Sequence, residues 1–294
     1  MDLRKYKMNI IFGAGKFSNV HLKVLKEKGI RQAILTKKSS WTDKQKQQFK
    51  NKHRDMQLFF DNLPLIRNET IHIVTPSETH AKVLHQNISA KKIFIEKPAV
   101  IFNRDKDYIL ANKVRSLSWK NFKSIPSIYQ NDWLSQVQNY RIDKRKPKSI
   151  NFTYHVKNPN DQDHITEIAS HAMILLSIWC NSNSKIKLNS ESTGDNYTVL
   201  NFTIDKIKVH LNMSNGLRDK SFWSLKINDE YFSTDDIGHT LMSNTMNVFL
   251  NDLSPFTDWY ESSWLIHKLR TIKNQDLYNK QLKVYYEKNT ENRT

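Results

Sequence analysis

A short glycine-containing segment near the start of the chain has the residue types that bind phosphate. Gly13 and Gly15 directly follow an apolar run, and an amphipathic helical pattern follows them. In such a loop the first glycine permits a tight turn, and the second lets the backbone approach a pyrophosphate at the helix N-terminus. Ser18 replaces the usual third glycine, and its small side chain still permits close packing. The segment predicts a dinucleotide site that includes Lys16 and Phe17.

The residues that follow the second predicted strand distinguish NAD from NADP. A carboxylate at this position would bind the ribose hydroxyls of NAD. This sequence instead has Thr36, Lys37, Lys38 and Ser39. Two lysines and neighbouring hydroxyls can hold a 2′-phosphate, so we favour NADP and keep NAD as possible. The alternative is that both lysines reflect only the lysine-rich composition.

The elements that would position these residues are short strands that alternate with helices. Strands are predicted at 9–12, 32–36, 57–60, 71–74 and 93–95. Such alternation is typical of βαβ units and a parallel sheet. A helix at 104–116 and a strand near Ser118 would complete a doubly wound, Rossmann-type α/β domain over residues 1–120.

The second half of the sequence has a different pattern. Period-two alternation of apolar and polar residues predicts strands at 149–156, 197–204, 206–213, 222–227 and 231–232. The spacing of the last four indicates an antiparallel meander. Helices are predicted at 165–179 and at 241–272, the latter broken at Pro255. Residues 121–294 are therefore expected to form an α+β domain with an open, mostly antiparallel sheet.

The composition limits the kinds of protein that this chain can be. It has 294 residues, one cysteine and a formal net charge of +17. One cysteine cannot form an intrachain disulfide, and the sequence has no apolar run of signal-peptide or membrane-spanning length. We therefore predict a cytoplasmic protein that binds neither membranes nor nucleic acid. The charge has two open explanations, a general lysine bias or an anionic small ligand such as a dinucleotide.

Further motifs accompany the glycine loop in a fixed order. A predicted strand ends in Thr75-Pro76 and is followed by a helix with His80, and the next strand ends in Glu96-Lys97-Pro98. With the glycine loop and His21 in its helix, this combination resembles the Gfo/Idh/MocA family, named after glucose–fructose oxidoreductase and inositol dehydrogenase. The resemblance covers roughly residues 8–110 and is weaker beyond.

The resemblance implies an oxidoreductase that transfers a hydride between a nicotinamide and a sugar, cyclitol or nucleotide-sugar, and that forms dimers or tetramers. It assigns Thr75, Pro76, His80 and Glu96 to cofactor binding. Lys97 would lie near both the nicotinamide and the reacting oxygen. In the second domain, Glu167 and His171 match the family's D-x-x-x-H pattern, in which the histidine is the acid or base.

The second motif also departs from the family. Glu167 replaces an aspartate, Ala169 replaces a glycine, and Ile174 stands where many members have a carboxylate. Other functions therefore stay open: reduction of an imine or a bilin-like compound on the same fold, or a non-catalytic dinucleotide-binding sensor or partner protein. His164, Glu167 and His171 also have a spacing that a zinc ion could use, but we see neither an HExxH-like pair nor further ligands that would complete such a site, and we predict no metal.

Overall fold

Short apolar runs separated by helical segments form a parallel sheet, as their alternation predicts. The strands, in chain order, are β1 (Asn9–Phe12), β2 (Gln32–Thr36), β3 (Gln57–Phe60), β4 (Thr70–Ile73), β5 (Lys92–Ile95) and β6 (Ser127–Gln130). They lie in the order β3-β2-β1-β4-β5-β6, and all neighbouring pairs are parallel. The order reverses between β1 and β4, the switch point at which doubly wound sheets bind their ligands.

Helices connect these strands. They are α1 (Lys16–Glu27), α2 (Asp43–Lys52), α3 (His80–Gln86), which follows a 3₁₀ turn at Ser77–Thr79, and α4 (Asp105–Lys120). A capping box begins α2, in which Thr42 and Gln45 each accept a hydrogen bond from the other's backbone. The predicted strand near Ser118 is wrong, because α4 packs on α3 and continues to Lys120. Tertiary packing here outweighs the weak helix preference of the Ser-Leu-Ser segment.

The residues fall into two units, each built from two stretches of the chain. The first takes residues up to 136 and 238–260, and the second takes 137–237 and the residues from Glu261 onward. This computed structural model describes residues 9–30, 32–36, 41–54, 57–60, 70–120, 127–130, 146–157, 167–216, 220–234, 239–251, 253 and 258–272.

Helix α6 (His239–Leu250) is the part of the first unit that lies far along the sequence. It packs against α1, and its apolar side chains join those of the sheet in one hydrophobic core. The members of this core are Ile11, Leu22, Val24, Leu25, Val74, Phe94, Tyr129, Met242, Met246 and Phe249. The Lys92 ammonium donates to the carbonyls of Phe249 and Leu250 and so caps the C-terminus of α6.

Phe249 lies at the centre of this core, and we expect its removal to destabilise the first unit. The ring is fully buried and packs edge-on against Phe94 and Tyr129, at centroid distances of 5.1 and 5.0 Å. Phe249→Ala should lower the free energy of unfolding of this unit by about 4 kcal/mol. Hydrogen exchange of the β1 and β5 amides measures this change.

Leu253→Ala is the matched control, since Leu253 is 54% exposed. It should change the same exchange rates by less than about 0.5 kcal/mol. Equal effects of both substitutions would mean that α6 does not pack on the sheet.

The second unit contains a mixed sheet in which antiparallel pairs predominate. Its strands are β7 (Ser149–Val156), β8 (Ile186–Gly194), β9 (Tyr197–Ile204), β10 (Ile207–Asn215), β11 (Phe222–Ile227) and β12 (Glu230–Thr234). They lie in the order β12-β11-β7-β10-β9-β8, and β7 and β10 form the parallel pair. Helix α5 (Ala169–Leu176) packs on β10, and α7 (Trp259–Thr271) supplies a buried stretch at 262–269. The predicted fold class is confirmed.

Two details of this sheet differ from the prediction. The expected continuous meander is interrupted, because β7 inserts between β10 and β11. Strand β8 was not expected, since its sequence alternates poorly and its residues are exposed or half-buried. An edge strand buries little apolar surface, so its sequence carries little hydrophobic signal.

In the described part of the chain, every helix is too short or too polar to cross a membrane.

Candidate functional site

Gly13 follows β1 and allows a close approach between two strands of the sheet. Its φ of +114° lies in the region that side chains with a Cβ avoid. A Cβ at this position would lie 2.7 Å from the Val74 carbonyl oxygen at the end of β4. The fold itself therefore requires this glycine.

Gly15 has a different reason to be a glycine. Its φ of −83° suits any residue, and a Cβ built on it would meet no described atom within 4 Å. Gly15 is the N-cap of α1, and among the described residues no side chain caps this helix and no acidic side chain lies in its first turn. The N–H groups of the first turn and the positive end of the helix dipole lie at this end of α1, next to the position that a Cβ of residue 15 would occupy. This arrangement fits the pyrophosphate of a dinucleotide.

The structure brings the other first-unit motifs to the same edge. Because β1, β4 and β5 are neighbours and parallel, their carboxyl ends lie side by side. Thr75-Pro76 follows β4, and Glu96-Lys97 follows β5. The backbone of Thr36 ends the adjacent β2. This edge is where doubly wound folds bind ligands.

Several predicted cofactor residues are described only in part. Lys37, Lys38 and Ser39 lie outside the described residues, and so do the side chains of Lys16 and Thr36. Phe17, in the first turn of α1, is 55% exposed. The predicted contacts of these residues with a cofactor stay predictions.

His80 joins the loops that follow β4 and β5. The buried ring has Nδ1 2.9 Å from the Pro98 carbonyl oxygen and Nε2 2.8 Å from the Thr75 carbonyl oxygen. Burial lowers the pKa of His80, while the two carbonyls and the charge of Glu96 oppose this shift. Both carbonyl oxygens are acceptors, so a ring nitrogen that carries a proton donates to the carbonyl it faces, and the ring contacts both loops. Its predicted contact with the cofactor stays a prediction.

Lys97 stands on the loop directly after β5 and is half-buried. Its backbone N–H donates to Glu96 Oε2 at 3.3 Å, and its peptide bond to Pro98 is cis. The Glu96 side chain is thus folded back onto the backbone of the residue that follows it. This contact ties the start of the loop at Glu96-Lys97-Pro98, here called the lysine loop, to the interior of the unit.

The Glu96 carboxyl is buried against a row of polar side chains under the sheet edge. His21 Nε2 lies 2.7 Å from Glu96 Oε1, and His21 Nδ1 lies 3.3 Å from His72 Nδ1. His72 Nε2 in turn lies 2.9 Å from Asn9 Oδ1. Burial lowers the pKa of His72 well below its ordinary value, and the neighbouring His21 adds to this effect.

The roles of His72 and Asn9 were not predicted from the sequence. A signal was present, because His72 stands between two isoleucines in a predicted apolar strand, and Ile71, His72 and Ile73 are all buried. A polar residue at such a position must find a partner inside the protein. His21 itself came only from the resemblance, and its bond to Glu96 could not be read from a single sequence.

His171 and Glu167 lie in the second unit. His171 is 4% exposed on α5, and its ring packs against that of Tyr154 on β7 at a centroid distance of 5.1 Å. Burial raises the pKa of Tyr154 to about 12, so its hydroxyl stays protonated at neutral pH. Glu167 is half-buried in a π-helical turn just before α5. The regular i,i+4 pairing expected for Glu167 and His171 thus spans an irregular turn, and their roles stay predictions.

The alternative metal site has no further support within the described residues. These contain no group of three or more histidine, cysteine or acidic side chains placed to hold a metal ion. His164, one of the three residues of that alternative, lies outside them.

Known proteins with the same fold were found by comparison of structures and not by comparison of sequences. No protein-family model matches the sequence, and no curated protein matches it. The WlbA (WbpB) dehydrogenase from Thermus thermophilus, solved in complex with NAD and UDP-GlcNAcA, superposes with a TM-score of 0.66. That match has 14% sequence identity and covers 90% of this chain and 95% of that chain.

Two further solved structures agree. A Gfo/Idh/MocA family oxidoreductase from Vibrio cholerae superposes with a TM-score of 0.58 at 12% identity, over 94% of this chain and 99% of that chain. An oxidoreductase from Bacillus cereus superposes with a TM-score of 0.57 at 13% identity, over 89% and 95% of the two chains. The resemblance stated from the motifs is confirmed at the level of the fold.

Proposed function

We propose that this chain, which has the fold of the Gfo/Idh/MocA oxidoreductases, transfers a hydride between a nicotinamide dinucleotide and a carbonyl or hydroxyl carbon of its substrate. One observation carries the proposal. Within the described residues, neither the packing nor the backbone requires a glycine at position 15, and no side chain caps the N-terminus of α1 next to it. A bound pyrophosphate explains why a residue without a side chain stands there.

Different residues at this edge would bind different parts of the cofactor. The first-turn N–H groups of α1 would bind the pyrophosphate, and the loops after β4 and β5 would lie beside the nicotinamide half. Such a cofactor supplies or accepts the hydride. The proton transfer and the stabilisation of charge on the substrate oxygen must come from side chains of the protein.

Lys97 and His171 are the proposed acid–base and electrostatic residues. A lysine ammonium stabilises the negative charge that develops on the substrate oxygen when a carbonyl is reduced. An imidazole can donate a proton to that oxygen, or remove it in the reverse direction, and Glu167 would orient the ring. Lys97 belongs to the first unit and His171 to the second.

The proposed substrate is a sugar or a nucleotide-sugar, and the proposed assembly is a homo-oligomer. The Thermus thermophilus neighbour was solved with a nucleotide-sugar, which supports this class of small molecule. A panel of keto-sugars and nucleotide-sugars should therefore support turnover. Turnover of an imine or a bilin alone would favour the alternative reductase, and tight cofactor binding without turnover would favour a sensor.

A titration with NADPH and with NADH tests the cofactor proposal. We expect NADPH to bind more tightly, because Lys37 and Lys38 can contact the 2′-phosphate. Lys37→Ala or Lys38→Ala should raise the Kd for NADPH about tenfold and leave the Kd for NADH unchanged. Nicotinamide fluorescence measures both constants.

Lys44→Ala is the control for charge alone, since Lys44 is an exposed lysine of α2. It should change neither Kd. A preference for NADH would be consistent with the proposed oxidoreductase activity and would contradict the proposed contact of Lys37 and Lys38 with a 2′-phosphate. No binding of any reduced or oxidised dinucleotide would overturn the proposed function.

A further inference from the structure

The buried polar side chains that contact one another in a row are those of Glu96, His21, His72 and Asn9. The hydrogen-bonding protons of this row can be assigned one at a time. Burial keeps His72 neutral, so its ring carries one N–H. Nε2 of His72 faces the Asn9 oxygen, an acceptor, and therefore carries this proton. Nδ1 of His72 must then accept, and the donor that faces it is His21 Nδ1.

The bond between His21 and Glu96 follows from this count. With Nδ1 of His21 donating to His72, the contact of 2.7 Å between Nε2 and Glu96 Oε1 needs one proton shared between ring and carboxyl. The pair is either an imidazolium with a carboxylate or a neutral ring with a carboxylic acid. Both forms fix Oε1 at the same place.

The Glu96 carboxyl passes this constraint to the lysine loop. Oε1 is held by His21 from α1, and Oε2 accepts from the backbone N–H of Lys97. One residue later, the carbonyl of Pro98 contacts His80 from α3. The loop that presents Lys97 is thus held on one side through Glu96 and on the other through Pro98.

We propose that His21 is a positioning residue for Lys97 and acts through the Glu96 carboxyl. The role of Lys97 in this statement rests on the proposed function, whereas the fixing of its backbone does not. Loss of the His21 hydrogen bond leaves Oε1 of this buried carboxyl without that donor, and a buried oxygen that loses a donor favours a position closer to another donor or to water. A shift of about 1 Å in a catalytic group costs about 100-fold in rate.

The hydrogen bond can be separated from the packing of the ring. The His21 ring packs edge-on against Phe94, at a centroid distance of 5.2 Å, and is fully buried. His21→Phe keeps a ring in this space and removes both nitrogens. His21→Gln removes the ring and keeps an N–H donor that can reach Glu96.

The experiment compares these two variants by NMR and by kinetics. In His21→Phe we expect the Lys97 amide resonance to move and kcat to fall about 50-fold, with the Kd for the reduced dinucleotide within about threefold of wild type. In His21→Gln both readouts should return most of the way to wild type. The matched control is His53→Phe, since His53 is also buried and packs on Phe49 at the end of α2.

Failure of the positioning role of His21 can be distinguished from failure of the proposed function. An unmoved Lys97 amide in His21→Phe, or equal effects of His21→Phe and His53→Phe, would overturn the positioning role. If His21→Phe does not fold, His21→Leu takes its place, because it also removes both ring nitrogens and should also move the Lys97 resonance. If the wild-type protein binds no dinucleotide, the proposed function fails, and the NMR comparison still decides whether His21 holds the loop.

Discussion

Replacing Lys97 with methionine is expected to lower kcat by about 1,000-fold while the Kd for the dinucleotide stays within about threefold. Methionine keeps much of the length of the side chain and removes its charge. If the ammonium stabilises negative charge on the substrate oxygen, it acts mainly in the transition state, so its loss lowers kcat rather than binding. Single-turnover measurements with the substrate found in the panel separate the chemical step from product release.

Lys91→Met is the control, because Lys91 is an exposed lysine just before β5. It should leave kcat and Kd unchanged. A Lys97→Met enzyme with wild-type kcat would show that this lysine does not contact the reacting oxygen, whatever the class of the enzyme.

The two glycines of the loop should respond in opposite ways to the same substitution. Gly13→Ala forces a Cβ against the Val74 carbonyl at a positive φ, and we expect it to destabilise the first unit by about 3 kcal/mol. Gly15→Ala meets no described atom and should leave stability within about 0.5 kcal/mol. Its methyl group would instead narrow the space for the pyrophosphate and raise the dinucleotide Kd at least about tenfold.

Hydrogen exchange and a dinucleotide titration on both variants test this contrast. Each glycine serves as the control for the other, since both stand in the same loop and receive the same methyl group. A Gly15→Ala protein that binds the dinucleotide normally would remove the observation on which the proposed function rests.

The first sheet was largely readable from the sequence, because glycines, prolines and polar segments punctuate its short apolar runs. Strands β2 and β3 have the predicted bounds, and so do β7 and β9 in the second sheet. The glycine loop was also readable, since its chemistry depends on local backbone geometry. These features share one property: the residues that determine them are close together in the chain.

Features that depend on distant parts of the chain were not readable. The insertion of β7 between β10 and β11 is a choice of partner among similar alternating strands. The bond from His21 to Glu96 joins residues from two different βα units that are 75 positions apart, and only the folded sheet brings them into contact. In the second unit, the π-helical turn at Glu167 has no signal in residue type that we can identify.

The return of α6 to the first unit has a consequence for how the protein is made. When β6 has been synthesised, all strands of the parallel sheet are present, but α6 is not. This helix covers part of the core of the sheet and ends at Leu250. At synthesis rates of about 5–20 residues per second, the intervening segment takes roughly 6–24 seconds to synthesise. During that interval Phe94 and Tyr129 lack the cover of Phe249. The nascent chain therefore offers an apolar surface to chaperones until most of the second unit has also emerged.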